Sequence, residues 1–344
     1  MKCKICGGKA VAEASPEKCL ALCAPCYVDW FPRFIAETIR KFRMFAAQDR
    51  LLVAVSGGKD SLAVWEVLCR LGYAAEGLHV NLSIGAEHGY SSASQRHCEE
   101  LAARLGKALH VVDLKQRHQL EIGDFLDMKD RPVCSCCGTF KRHFMNAVAV
   151  ERGADVLVTG HNMDDECATL LGNVLRWDLH YLSRQAPVLP ARTAGQLVRK
   201  VKPLCHLTER ETTQYAILRG IPYVRAECPF STGATTISGK HALDLLENRS
   251  PGTKRRFYDG YLKNSAVFRP PEAELEQAAA ELSCVDCGMP SAHEVCGSCR
   301  LVRFMTERKA QGQTTGGRRR RRRAAAAVAA AAMQAALDTG PGAP

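Results

Sequence analysis

A parallel α/β sheet with helices on both faces is the fold class this sequence predicts, and three observations predict it. Apolar runs that read as buried strands alternate with amphipathic runs that read as helices between Leu51 and Arg176. The first strand, Leu51 to Val55, stops at Ser56-Gly57-Gly58, and Lys59-Asp60-Ser61 open a helix with Leu62, Val64, Trp65, Leu68 and Leu71 at helical spacing. Ser56 to Ser61, His79-Val80-Asn81 and Gly160-His161-Asn162 all fall at carboxyl ends of strands, where such sheets bind ligands.

Taken in order, residues 1–32 carry Cys3-x2-Cys6 and, after sixteen intervening residues, Cys23-x2-Cys26. Each pair forms a knuckle with two thiolates aimed at one ion, and two knuckles complete a tetrahedral four-thiolate zinc site. Cys19 competes as a ligand, but its gap to Cys23 fits less well. Phe34 to Phe45 has apolar residues at helical intervals and leads into the Leu51 strand. Free amides at the start of the next helix, with its positive dipole end, favour bound phosphate. Gly57 and Gly58 let backbone approach an anion, Lys59 adds charge, and Ser56 and Ser61 can donate. GxxxxGK[ST] is not matched, so the loop suits pyrophosphate rather than a departing γ-phosphate.

Further strands are expected at Ala74 to Leu82, Ala108 to Leu114 and Asp155 to Thr159, with helices at 91–105, Phe140 to Arg152 and Asp164 to Arg176. Residues 208–219 form a helix capped by Thr208 with Glu211 three residues on, and His241 to Asn248 form another. Cys284-x2-Cys287 and Cys296-x2-Cys299 make a second, compact zinc ribbon. Neither cysteine module buries enough apolar surface to fold alone, so metal supplies folding energy. From Thr306 a Gly/Gln/Thr stretch precedes six arginines and an alanine-rich run, and we expect disorder there. The division expected is 1–32, 33–270, 271–305 and a tail, 306–344.

Composition, at 46% hydrophobic and 24% charged, excludes disorder throughout. No stretch of the body reaches the roughly 18 apolar residues of a membrane span, and MKCKICGG lacks a signal-peptide core. A soluble, cytoplasmic protein is expected. Of the net charge of +11, six units lie from Thr306 onward, where eight Lys/Arg face Glu307 and Asp338. The body is therefore only mildly basic, and its charge argues weakly for nucleic acid. Seventeen cysteines, many in CxxC pairs in a long chain without an export signal, point to metal sites in a reducing compartment.

Pro132 to Arg142 reads PVCSCCGTFKR, and Cys228-Pro229 lies far downstream. Cys134 and Cys137 form a CxxC with no second knuckle. Together with Cys228 they suit a [4Fe–4S] cluster with one iron left open. A redox pair, a persulfide carrier or ordinary loop thiols are the alternatives. Cys136 offers other pairings within CSCC.

SGGKDS resembles the PP-loop of the N-type ATP pyrophosphatases. That loop with PVCSCCGTFKR, TGHNMDDE (Thr159 to Glu166), Cys228-Pro-Phe-Ser and PGTK is similar to the tRNA 2-thiouridine synthetases, across residues 1–305. The resemblance implies an adenine nucleotide α-hydrolase-like fold, and adenylation of a uridine O2 by ATP followed by displacement by sulfide. It implies an ATP site at Ala54, Ser56, Gly57, Gly58, Lys59, Asp60, Ser61, His79, Gly160 and Asp165. Lys141 and Asp165 match the family's catalytic lysine and aspartate, and Asp60 would help hold Mg²⁺. Sulfide would sit on the open iron of the cluster, delivered by a ubiquitin-like thiocarboxylated carrier protein. Family members are often dimers. Two rival readings are another PP-loop acceptor, such as cytidine 2-thiolation or amide formation, and a zinc-dependent RNA-binding scaffold.

Overall fold

The computed structural model of the chain describes residues 1–14, 20–85, 89–126, 128–192, 196–231, 235–268 and 282–312. Strands β1 (Ala12–Ala14) and β2 (Leu20–Leu22) pair antiparallel beside the first knuckles. Helix α1 (Ala24–Lys41) follows at once. Then come β3 (Leu51–Ala54), α2 (Lys59–Arg70), β4 (Ala75–Asn81), α3 (Tyr90–Leu105), β5 (Leu109–Asp113) and the short α4 (Leu114–His118). After α5 (Val133–Glu151) come β6 (Val156–Thr159), α6 (Met163–Leu175), α7 (Leu179–Leu182), β7 (Val188–Leu189) and β8 (Arg199–Val201). Helices α8 (Glu209–Leu218), α9 (Thr235–Arg249) and α10 (Thr253–Asn264) lead to β9 (Leu282–Ser283), β10 (Pro290–Ser291) and α11 (Gly297–Ala310).

The main sheet runs β5-β4-β3-β6-β8-β7, parallel except for β7 on the edge. Ala54 pairs with both Leu78 and Thr159, so β3 and β6 end level while β4 runs three residues further, to Asn81. Strand order reverses between β3 and β6, which opens a crevice beyond their carboxyl ends. Both sheet faces are covered. Leu51, Val53, Val156 and Val158 enter the core shared with α1, α2, α6 and α8. Leu52 and Leu157, on the opposite pleat, meet Phe140, Phe144 and Val148 of α5. Burial on both faces is why these strands read as unbroken apolar runs rather than as alternation. Trp65, fully buried, donates Nε1–H to Ala75 O at 3.2 Å; a Cβ at Gly77 would stand 2.6 Å from its ring.

Three expectations are corrected by the described residues. The first long helix begins at Ala24, not near Phe34, because Cys23 caps it and Pro25 sits in its first turn, and it ends at Lys41. The helix expected from Phe140, α5, begins at Val133, with Pro132 as its cap, so CSCC is helical and not a loop. The last helix runs through Thr306 to Ala310. Strands β7 and β8 and helix α10 carry too short or too mixed a pattern for the sequence to announce. Cys19, the acidic–alanine stretch before β9 and the arginines at 318–323 lie outside the described residues.

Candidate functional site

The loop between β3 and α2 is set by two close approaches. Gly57 has φ +80°, and a Cβ there would stand 2.5 Å from Ser94 O of α3. A Cβ at Gly160 would stand 2.7 Å from Ser61 N, so the β6 end presses directly on the start of α2. Ser61 Oγ accepts from Ser56 N at 3.0 Å and donates to Gly58 O at 3.0 Å, which fixes the turn. Gly58 caps α2 without a side chain, leaving the first amides of that helix to an incoming anion.

Charged side chains gather beside this loop. Lys59 Nζ lies 3.0 Å from Asp60 and 2.7 Å from Glu209. Asn162 Nδ2 donates to Asp60 Oδ1 at 3.2 Å and, as the cap of α6, exchanges hydrogen bonds with Asp165. Lys240 of α9 bridges Asp165 at 2.6 Å and Glu209 at 3.0 Å. Burial pushes the Asp60 carboxyl up, and Lys59 opposes it. Burial also acts against Glu209, but its two lysines hold it down to about 2. Glu209 opens α8 where the Thr208–Glu211 capping box marks a helix start; Lys240 carried no local signal at all. Lys254 of the PGTK stretch is buried against Asp164 and Asp244.

Across β3 from this network lies a pocket of about 150 Å³ lined by Ala54, Ser56, His79, Cys137, Lys141 and Cys228 among others. His79 Nδ1 lies 2.9 Å from Val55 O and therefore carries the proton; its buried Nε2 has no partner among the described residues and can accept. Burial pushes this imidazole down, so it stays neutral.

Three cysteines approach the pocket from two directions. Cys134 and Cys137 occupy the first turn of α5, three residues apart and so on one face. Cys228 arrives on the segment between α8 and α9. Val224 N donates to Gly57 O at 3.0 Å, which ties that segment to the loop, and Cys134 Sγ donates to Phe230 O at 3.2 Å. Burial pushes the Cys134 and Cys228 thiols up, while Lys141 pulls both down. Cys136 points the other way: it is fully buried, its sulfur 3.8 Å from Met128 Sδ. Its place on the inner face of α5 is what the spacing alone left open.

Each terminal cysteine set brings four sulfurs within 4.8 Å of one another, as one ion requires. Cys6 and Cys23 sulfurs are 3.5 Å apart, and Cys287 and Cys296 are 3.8 Å apart. Tetrahedral thiolates at about 2.3 Å from an ion stand about 3.8 Å from each other. In both sets the second knuckle opens a helix, with Cys23 capping α1 and Cys296 capping α11. Backbone N–H groups of Cys6 and Cys23 hold the Cys3 thiol down to about 6. Leu301 and Met305 of α11 join the core around α5, and neither set lines the pocket.

A glycine loop at the crevice between β3 and β6, with its helix amides free, is the site of a PP-loop protein, and residues 32–229 match the family described as the PP-loop domain. The tRNA-5-methyluridine(54) 2-sulfurtransferase of Thermus thermophilus is 44% identical over 88% of this chain and 91% of its own length. The enzyme of the same name from Pyrococcus horikoshii is 40% identical over 87% of this chain and 93% of its own. Among solved structures, the U34-tRNA thiolase NcsA from Methanococcus maripaludis with its [4Fe-4S] cluster superposes with a TM-score of 0.70 at 25% identity. That match covers 87% of this chain and 95% of the other. The chain belongs to the tRNA 2-sulfurtransferase family within the PP-loop proteins.

Proposed function

We propose that this protein is an ATP-dependent tRNA uridine 2-sulfurtransferase acting at position 54, the position named for its relatives of 40–44% identity. One observation carries the reading: Cys137, Cys228 and Lys141 share a single pocket with the loop residues Ala54 and Ser56 and with His79. ATP would lie with its phosphates on the amides of Gly57 to Ser61 and on Lys59, and with its base toward His79 Nε2. Asp60 would help hold Mg²⁺. Uridine O2 attacks the α-phosphorus, the bond to the β-phosphate oxygen breaks, and pyrophosphate leaves. Lys141 stabilises the charge that grows on the attacked phosphate, and Asp165 orients the attacking group. Sulfide then adds at C2 and AMP departs.

The donor set fits an iron–sulfur cluster. Two of its thiols line the pocket, the third lies against the Cys228 segment, and Cys136 is turned away. Cys134, Cys137 and Cys228 would hold a [4Fe–4S] cluster, which when bound supplies an iron without a protein ligand as a seat for sulfide. Both terminal sets would hold structural Zn²⁺, the ion that four thiolates at this spacing suit. A ubiquitin-like thiocarboxylated carrier is our proposed sulfur donor, a homodimer the proposed assembly, and the cytoplasm the proposed compartment. No helix of the described residues is long and apolar enough to cross a membrane.

The test is anaerobically reconstituted protein with ATP, Mg²⁺, sulfide and unmodified tRNA, with nucleosides read by mass spectrometry. Appearance of 2-thiouridine derivatives at position 54, dependent on ATP, is expected. Pyrophosphate release without any thionucleoside would move the protein to another PP-loop acceptor.

A further inference from the structure

Helix α5 presents two neighbouring stripes. Cys137, Lys141 and Met145, at i, i+4 and i+8, line the pocket just described. Arg142 and Asn146 form the adjacent stripe, and Asn146 lines a second groove of about 180 Å³, walled by Arg184, Leu189, Pro190, Arg192, Leu197, Val198 and Lys200. One wall of this groove is α5 and the other is the β7–β8 edge of the sheet.

The charge in this groove is unbalanced. Among the described residues no acidic side chain lines it, and Arg142, Arg184, Arg192 and Lys200 make no ion pair. Lys202 next along is different, since it is paired with Glu166 at 2.8 Å. Burial, then Arg142 and Lys202, push the Lys200 amine down to about 8. Asn146 Oδ1 is buried and has no hydrogen-bond partner among the described residues. Uncompensated cations around a buried, unmet amide describe a site built for an anion that also brings a hydroxyl.

We propose that the groove between α5 and the β7–β8 edge binds the phosphodiester backbone of RNA and so sets the substrate nucleotide against the Lys141 stripe. Arg184 and Arg192 grip successive phosphates, and a ribose 2′-hydroxyl satisfies Asn146. Just upstream, Trp177 and Tyr181 are 72% and 60% exposed, flat faces on which an unpaired base can stack. Asn146 stands five residues along α5 from Lys141. The inference rests on the tRNA reading above and deepens it.

The experiment uses the full chain and the double variant Arg184→Ala/Arg192→Ala, with binding of unmodified tRNA measured by fluorescence anisotropy over a range of salt. Both arginines are exposed and, among the described residues, in no ion pair, so the variant is expected to fold; unchanged ATP affinity verifies this. Affinity for tRNA should fall about tenfold, and the slope of log K against log salt should drop by about 1.4–1.8, for two lost phosphate contacts. An unchanged affinity and slope would overturn the groove while leaving the thiolation reading intact. If the variant instead lost binding of a poly-glutamate probe and kept tRNA, the groove would belong to an acidic protein partner and the proposal would be wrong. Wild-type protein that binds no tRNA at all would defeat the functional reading itself, and the groove with it.

Discussion

The thiol of Cys134 donates to the carbonyl oxygen of Phe230, 96 residues downstream, at 3.2 Å. That contact joins the start of α5 to the segment carrying Cys228, which is itself anchored to the glycine loop through Val224 N and Gly57 O. The glycine loop, the Val224–Phe230 segment and the start of α5 are thereby tied together by hydrogen bonds. A shift of the glycine loop would be felt at the cysteines.

Gly160 is the tightest test of how the two sides of the crevice fit. Adding a Cβ there drives it to 2.7 Å from Ser61 N, where backbone rather than a flexible side chain must give way. Gly160→Ala should cost about 1–3 kcal/mol of stability and weaken ATP binding about tenfold. Calorimetric titration with ATP checks the second effect, and an affinity equal to wild type would show that the loop tolerates displacement.

Glu209 makes stability depend on acid. Its folded pKa of about 2 lies below the ordinary 4.5, because Lys59 and Lys240 outweigh burial. A depressed carboxylate stabilises the fold in full above 4.5, and this contribution is lost as pH falls toward 2. Unfolding free energies of wild type and Glu209→Gln should therefore differ most at and above pH 4.5 and converge toward pH 2. A gap that ignores pH would mean that the two lysines do not grip this carboxylate in solution.

Lys254 is expected to be structural although it sits in the PGTK stretch on which the family resemblance partly rests. Its ammonium is buried between Asp164 and Asp244, and Asp164 also accepts Glu209 N at 2.7 Å. Lys254→Met strands a buried carboxylate and should cost about 3–5 kcal/mol. Pairing it with Asp164→Leu should recover much of that loss. Equal denaturation midpoints for Lys254→Met and wild type would point instead to a role in substrate binding.

Much of this architecture is written in local chemistry. Strands β3 and β6 announced themselves because burial on both faces makes Leu51–Ala54 and the Val156-Leu157-Val158 run continuously apolar. Gly57 and the Thr208–Glu211 box were legible because turn and cap geometry admit few residue types. Other features lacked a local signature. Strand β8 is only Arg199–Val201, with two charged residues, and it exists because β6 offers it an edge. Lys240 reaches Asp165 and Glu209 only through packing of α9 on α6. The helical state of CSCC was hidden by its small polar residues, and with it the inward turn of Cys136.

Which sulfurs hold iron decides whether a sulfur-bearing centre sits beside the glycine loop. After anaerobic reconstitution, iron and visible absorbance should be lost from Cys134→Ala, Cys137→Ala and Cys228→Ala, while the two terminal metals remain. Cys136→Ala should keep its iron and lose only about 1 kcal/mol of stability, as a truncated core side chain. Full iron in Cys228→Ala, or its loss from Cys136→Ala alone, would contradict the placement of a metal centre beside the nucleotide loop.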